Sequence, residues 1–231
     1  GEDATAVFNM LSGYSEPLGW NKLSVAPLWL RGRFKRLIMR EIRNAQEGKP
    51  ARIVAKMNSL CDKEMIANLY EASCAGVQIE LIVRGICCLK AGIPGLSEHI
   101  TVRSIVGNFL EHSRIFLFEN GGDKRVFMGS ADWMPRNLDR RVEILFPVED
   151  GELKERLLHI LDVQLADNVK AQYLRPDGSY GKRDRRGRAP VNSQEVFCEE
   201  AVRAAKAEET MKDPMRARVF VPLEQESLLD S

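Results

Sequence analysis

His112 and Arg114 stand two residues apart in the run LEHSRIFLFENGG, and Gly129-Ser130 and Asp132 follow, with Arg136, Asn137, Asp139, Arg140 and Arg141 close behind. An imidazole can carry or donate a proton, and guanidinium groups hold phosphate oxygens through paired hydrogen bonds. A histidine, a neighbouring arginine and a following cluster of amide and arginine donors is the set that phosphoryl chemistry needs. Such groups act together only if the fold brings them to one place. Asn120-Gly121-Gly122-Asp123 lies between two apolar runs and signals a tight connection, because glycine accepts the positive φ of short turns. The expectation is one strand beginning near His112 and a second from Lys124 to about Ser130. On a strand His112 and Arg114 would share a face.

The preceding chain supplies a frame for that hairpin. Residues 4–12 suit a short helix and 14–27 a connecting loop. Leu30, Phe34, Leu37, Ile38 and Ile42 recur at helical spacing, with Gly48 and Pro50 as a stop. Arg52 to Asn58 reads as a buried strand, Asp62 as the cap of a helix ending at Gly76, and Val77 to Arg84 as a second buried strand. Strand, helix, strand at this length implies a parallel pair. Ligands of open α/β sheets sit beyond the carboxyl ends of such strands. Lys56, Asn58 and Arg84 fall there, and each can donate to an anion. Further strands are expected at 101–106 and 140–148, a helix from Gly151 to about Ala171 and another over 193–206. The five basic residues from Lys182 to Arg188 suggest an exposed loop over 178–188, and a polar tail is expected to be disordered.

Composition bounds the possibilities. The chain has 231 residues, is 44% hydrophobic and carries a formal charge of +1, so it can bury a core but projects no global field for nucleic acid or membrane. Any polyanion site must be local. Five cysteines without a C-x-x-C arrangement fit reduced thiols better than a disulfide framework or zinc site. No apolar run approaches the roughly 20 residues of a membrane span, and no P-loop sequence occurs. The start at Gly1 suggests a piece of a longer protein.

The blocks LSGYSEP, LSVAPLWLR, RIVAKMNSL, LYEASCAGVQIELIVRGICCL, GLSEHITVRSIVGNFLEHSRIFLFENGG and GSADWMPRNLDRRVEILFPV resemble the C-terminal part of bacterial polyphosphate kinase over roughly residues 5–200. The resemblance implies an α/β fold of phospholipase D type, a sheet flanked by helices, here the second of two catalytic domains. It divides the chain into the tail of the preceding catalytic domain with a connector at 1–24, the α/β domain at 25–175 and a basic loop, helix and tail at 176–231. It also implies magnesium with ligands mainly in the other domain, ATP or ADP and inorganic polyphosphate as substrates, and a homo-oligomer. A cytoplasmic location follows, with peripheral attachment to the inner membrane left open, and no nucleic acid partner.

By the same resemblance His112 is the acid-base histidine at the bridging oxygen, and Arg84 and Arg141 meet the nucleotide or its phosphates. The phosphorylated histidine of the family lies in a motif absent from these residues, so the chain reads as one half of an active site. Lys56, Asn58, Arg114 and Arg136 are the further phosphate-binding candidates. In the order of phospholipase D motifs the series runs His112, Arg114, Glu119, Gly129, Ser130, Asp132, with Glu119 a candidate for orienting the imidazole. The alternatives are a phospholipase D-type phosphodiesterase and a non-catalytic polyanion-binding module.

Overall fold

The computed structural model describes residues 1–15 and 17–210. The expected disordered tail lies mostly outside the described residues. Arg52–Met57 (β2) and Gln78–Val83 (β3) are each apolar at four of six positions, and they pair in parallel with Ile53 beside Ile79 and Met57 beside Val83. A strand of that composition needs cover on both faces. Leu30–Gln46 (α2) and Lys63–Cys74 (α3) cover one face, closing over Ile53, Ala55, Met57, Leu81 and Val83. Gly151–Ala166 (α5) lays Leu157 and Leu161 over Val54, Ile82, Ile115 and Leu117 on the other. Asp62 and Asp150 cap α3 and α5 by accepting from Met65 N and Leu153 N.

Among the described residues the sheet has nine strands in the order β1-β7-β6-β5-β2-β3-β4-β8-β9. Besides β2 and β3 these are Ser24–Val25 (β1), Ile100–Ser104 (β4), Ile115–Phe118 (β5), Arg125–Gly129 (β6), Ile144–Pro147 (β7), Gln172–Leu174 (β8) and Tyr180–Gly181 (β9). Only β2, β3 and β4 run parallel; every other pairing is antiparallel. The expected hairpin is β5 and β6, joined through a 3-10 turn in which Gly121 takes φ +71°. Strands β8 and β9 extend the sheet past the boundary expected at residue 175. Glu2–Leu11 (α1) and Pro135–Asp139 (α4) complete this unit, Gly1–Ser193, while the residues after it, the body of Ser193–Thr210 (α6), form a second.

Two enclosed carboxylates fasten irregular chain to this frame. Glu41 accepts from Arg52 N (3.2 Å) and Asn120 N (2.7 Å), and burial holds its pKa above the usual carboxylate range. Asp167 accepts from Val169 N, Lys170 N and Ala171 N at 2.7–3.1 Å and from Ser193 N and Oγ at 2.8 Å. Burial alone would raise the Asp167 pKa, but the donors from Ser193, Lys170 and Ala171 outweigh it and hold the carboxyl below its ordinary value. Its stabilising effect is therefore complete above the unfolded-state pKa of about 3.9 and is lost as pH falls through the lower folded-state value. Asp167→Asn is expected to lower stability near neutrality by about 1–3 kcal/mol and to flatten the dependence of Tm on pH below about 4. Thermal melts across that range check this; a variant with the parent's acid slope would refute it.

Candidate active site

Strand direction gathers the chemistry at one end of the sheet. Strands β2 and β3 end there, β5 runs antiparallel to β2 and so begins there, β6 ends there and β7 begins there. The residues after β2 and β3 (Asn58, Arg84), before β5 (His112, Arg114), after β6 (Ser130, Asp132, Arg136) and before β7 (Arg141) thus share one edge.

The segment carrying His112 is not a strand. Residues 111–114 join no ladder, and β5 begins only at Ile115. Side chains hold it instead. Lys56, 2% exposed, donates to Ser113 Oγ (2.9 Å) and Ser113 O (3.2 Å) and pairs with Glu111 Oε2 at 3.3 Å. Gln164 of α5 donates to the same Glu111 oxygen at 2.8 Å. Arg114 Nη1 donates to His112 O at 2.8 Å. Both neighbours of His112 and its own carbonyl are therefore fixed, while the His112 side chain is exposed and makes no hydrogen bond or ion pair among the described residues. Burial pushes the Lys56 pKa down, against the pull of Glu111 and with the help of Arg84 and Arg114.

Arg114 is fixed in turn. Its Nε and Nη2 meet Asp132 Oδ1 and Oδ2 at 3.1 and 3.2 Å, and Asn58 gives Asp132 its backbone N–H at 2.8 Å and its amide at 3.4 Å. Of the residues expected as phosphate donors, Lys56 and Arg114 direct donors onto the segment that carries His112, and Asn58 donates to Asp132. Glu119 cannot orient His112, because β5 separates the two and Glu119 N bonds to Arg52 O at the far end of the sheet. Asn58 Oδ1 is a buried acceptor with no partner among the described residues.

The loop after β6 is built as tightly. A Cβ on Gly129 would stand 2.5 Å from Ile144 O, so only glycine lets β7 approach. Ser130 Oγ and Asn137 Nδ2 both donate to the buried Glu143, and Ile144 N donates back to Ser130 Oγ at 3.1 Å. Arg31 ties α4 to the core by gripping Asp139 at 2.7–2.9 Å and Asp62 at 2.8 Å, and those carboxylates raise its pKa. Asp139 and Glu143 being engaged, Arg136, Arg140 and Arg141 are exposed and form no ion pair among the described residues.

Arg84 lines a cavity of about 310 Å³ with Ser104, Lys170, Gln172 and Tyr180, and its Nη1 is buried with no hydrogen-bond partner among the described residues. Lys170, Arg31 and Glu143 had no distinguishing mark in the sequence; each lay on a helix face or within a charge run.

The magnesium implied by the resemblance does not fit this donor set. Among the described residues no group of three His, Cys, Asp or Glu side chains could hold a metal. The carboxylates at this end are engaged: Asp132 by Arg114, Glu111 by Lys56, Asp62 and Asp139 by Arg31.

Comparison with known proteins agrees with the sequence resemblance. The family described as polyphosphate kinase C-terminal domain 2 matches residues 23–194. A polyphosphate kinase of Lactiplantibacillus plantarum is 47% identical over 96% of the chain and 31% of its own length; one of Halalkalibacterium halodurans is 53% identical over 90% and 30%. The crystal structure of polyphosphate kinase from Porphyromonas gingivalis superposes with a TM-score of 0.82 at 41% identity, covering 91% of this chain and 32% of that one. The chain thus spans about a third of the length of the relatives it matches, and it belongs to the polyphosphate kinase C-terminal domain 2 family.

Proposed function

We propose that the chain is the second catalytic domain of a polyphosphate kinase, contributing half of a site that moves the γ-phosphoryl group between ATP and inorganic polyphosphate. The observation that carries this reading is the His112 imidazole, held out on a segment whose backbone is fastened on both sides. In this reading the phosphorylated histidine and the magnesium ligands belong to a preceding domain, as the resemblance implies. The transferred group bears negative charge through a loose transition state, so positioning and charge stabilisation dominate. Arg84, Arg136 and Arg141 hold phosphate oxygens; Arg84 has a buried N–H with no partner among the described residues. His112 donates a proton to the bridging oxygen as the phosphoryl group leaves, and takes it back in the reverse direction. Cytoplasmic location and homo-oligomeric assembly belong to the same proposal.

Engagement of Arg114 by Asp132 weighs against the phosphodiesterase alternative, which uses a cation at that position on its substrate. The test is transfer of labelled phosphate from ATP to polyphosphate by this chain alone, by a preparation of the preceding domain alone, and by the two mixed. Transfer only on mixing is the expected result. Transfer by this chain alone would place a nucleophile within these residues and overturn the division of labour.

A further inference from the structure

The cations of the described chain are of two kinds. Arg31, Arg52, Lys56, Arg103 and Arg114 are matched to carboxylates at 3.3 Å or less. Along the β8–β9 edge they are not. Arg84 and Lys170 line the 310 Å³ cavity described above, whose wall is completed by Gln172 of β8 and Tyr180 of β9. A second cavity, of about 290 Å³, opens on the same hairpin and is lined by Arg175, Lys182 and Arg183. None of these five cations forms an ion pair among the described residues. Glu98 is the one acid in either lining, and it lies beside His99. Of the other nearby acids, Asp177 accepts from Ser179 N and Oγ at 2.7–2.8 Å and lies within electrostatic reach of Arg175, and Asp184 pairs with Arg186. Arg183 is braced rather than loose, with its guanidinium 3.9 Å from the Tyr173 ring centroid. Arg175 lies over Gly181, where an added Cβ would collide with its guanidinium.

Five positive groups, with Glu98 in one lining and Asp177 in reach of Arg175, leave a net positive charge on two cavities that share one hairpin, and an anion lying among them would neutralise it. A single phosphate would satisfy one cavity. A linear polyanion can occupy both, because its charges recur along its length, and each bound cation releases a counterion from it.

We infer that the β8–β9 edge is a track for a polyphosphate chain, which enters the Arg84–Lys170 cavity and continues across Arg175, Lys182 and Arg183. This rests on the polyphosphate kinase reading above and adds where the body of the polymer lies.

The test is binding of long-chain polyphosphate and of tripolyphosphate to the whole chain by calorimetry, repeated across salt concentrations. Two triple variants of equal charge change are compared: Arg175→Ala with Lys182→Ala and Arg183→Ala, and Arg185→Ala with Arg186→Ala and Arg188→Ala, whose residues line neither cavity. The first is expected to weaken long-chain binding about tenfold or more and to flatten its salt dependence. Tripolyphosphate binding should be unchanged in it, and the second variant should stay within about twofold of the parent for both ligands. Equal losses in the two variants would mean that loop charge alone matters, and no loss in either would remove the track; both overturn the inference. The kinase reading fails separately. Absence of transfer in the mixed-domain assay together with the expected binding pattern would leave the track and remove the kinase. Normal transfer together with unchanged long-chain binding in the first variant would do the reverse.

Discussion

With the preceding domain supplied, His112→Ala lowers phosphoryl transfer by about 10²–10⁴ and leaves the Tm of this chain where it was. Both halves follow from the same geometry. The imidazole is exposed and touches no hydrogen-bond partner among the described residues, so truncating it should change folding stability by no more than about 0.5 kcal/mol. What holds the segment is the set of bonds from Lys56 to Ser113 and Glu111 and from Arg114 to the His112 carbonyl, all of which survive the substitution. A group that acts on the reacting oxygen and not on the ground-state substrate lowers kcat with little change in KM. The measurement is kcat, KM for polyphosphate and Tm of the same preparation. Unaltered kcat would remove His112 from the chemistry, and a large fall in Tm would mean that its imidazole is a structural group.

The strands and helices of the central sheet were legible because each has a strong local signature: apolar runs for β2 and β3, helical spacing in α2, Asp62 before α3. Their topology was legible as far as the parallel pair. Antiparallel closure by β1, β7, β8 and β9 was not, since two to four residues carry little periodicity and their pairing is decided by distant chain. The same limit applies to the site. That His112, Arg84 and Arg141 share an edge follows from strand direction. The inward use of Lys56, Asn58 and Arg114 does not, because it depends on Glu111, Ser113 and Asp132 reaching them through space. A lysine at the end of a buried strand reads equally well as an anion donor and as a clamp. The expectation of a strand at His112 failed for a related reason: the segment gets its order from side chains of β2, α5 and Arg114 rather than from a ladder.

Asp132→Ala should be the most destabilising of the site substitutions, by about 3–5 kcal/mol. Its carboxylate is 8% exposed and the Arg114 side chain 13%, so removing one partner leaves an enclosed guanidinium without its paired acceptor and the Asn58 N–H without its own. Chemical denaturation of the parent and variant measures the loss. Transfer would fall as well, but a partly unfolded protein would show that for trivial reasons. The double variant Arg114→Met with Asp132→Leu separates the two effects. Replacing a buried ion pair by apolar side chains of similar volume is often neutral or stabilising, so stability should return part of the way toward the parent, short of it by the Asn58 N–H that leucine cannot satisfy. The bond from Arg114 Nη1 to the His112 carbonyl does not return. Transfer should therefore stay depressed in a well-folded double variant, because a histidine displaced from its productive geometry loses rate even when nothing else has changed. Recovery of stability and transfer together would mean that the grip of Lys56 on Ser113 and Glu111 suffices to place the imidazole, and that the arginine two residues after the histidine serves the fold alone.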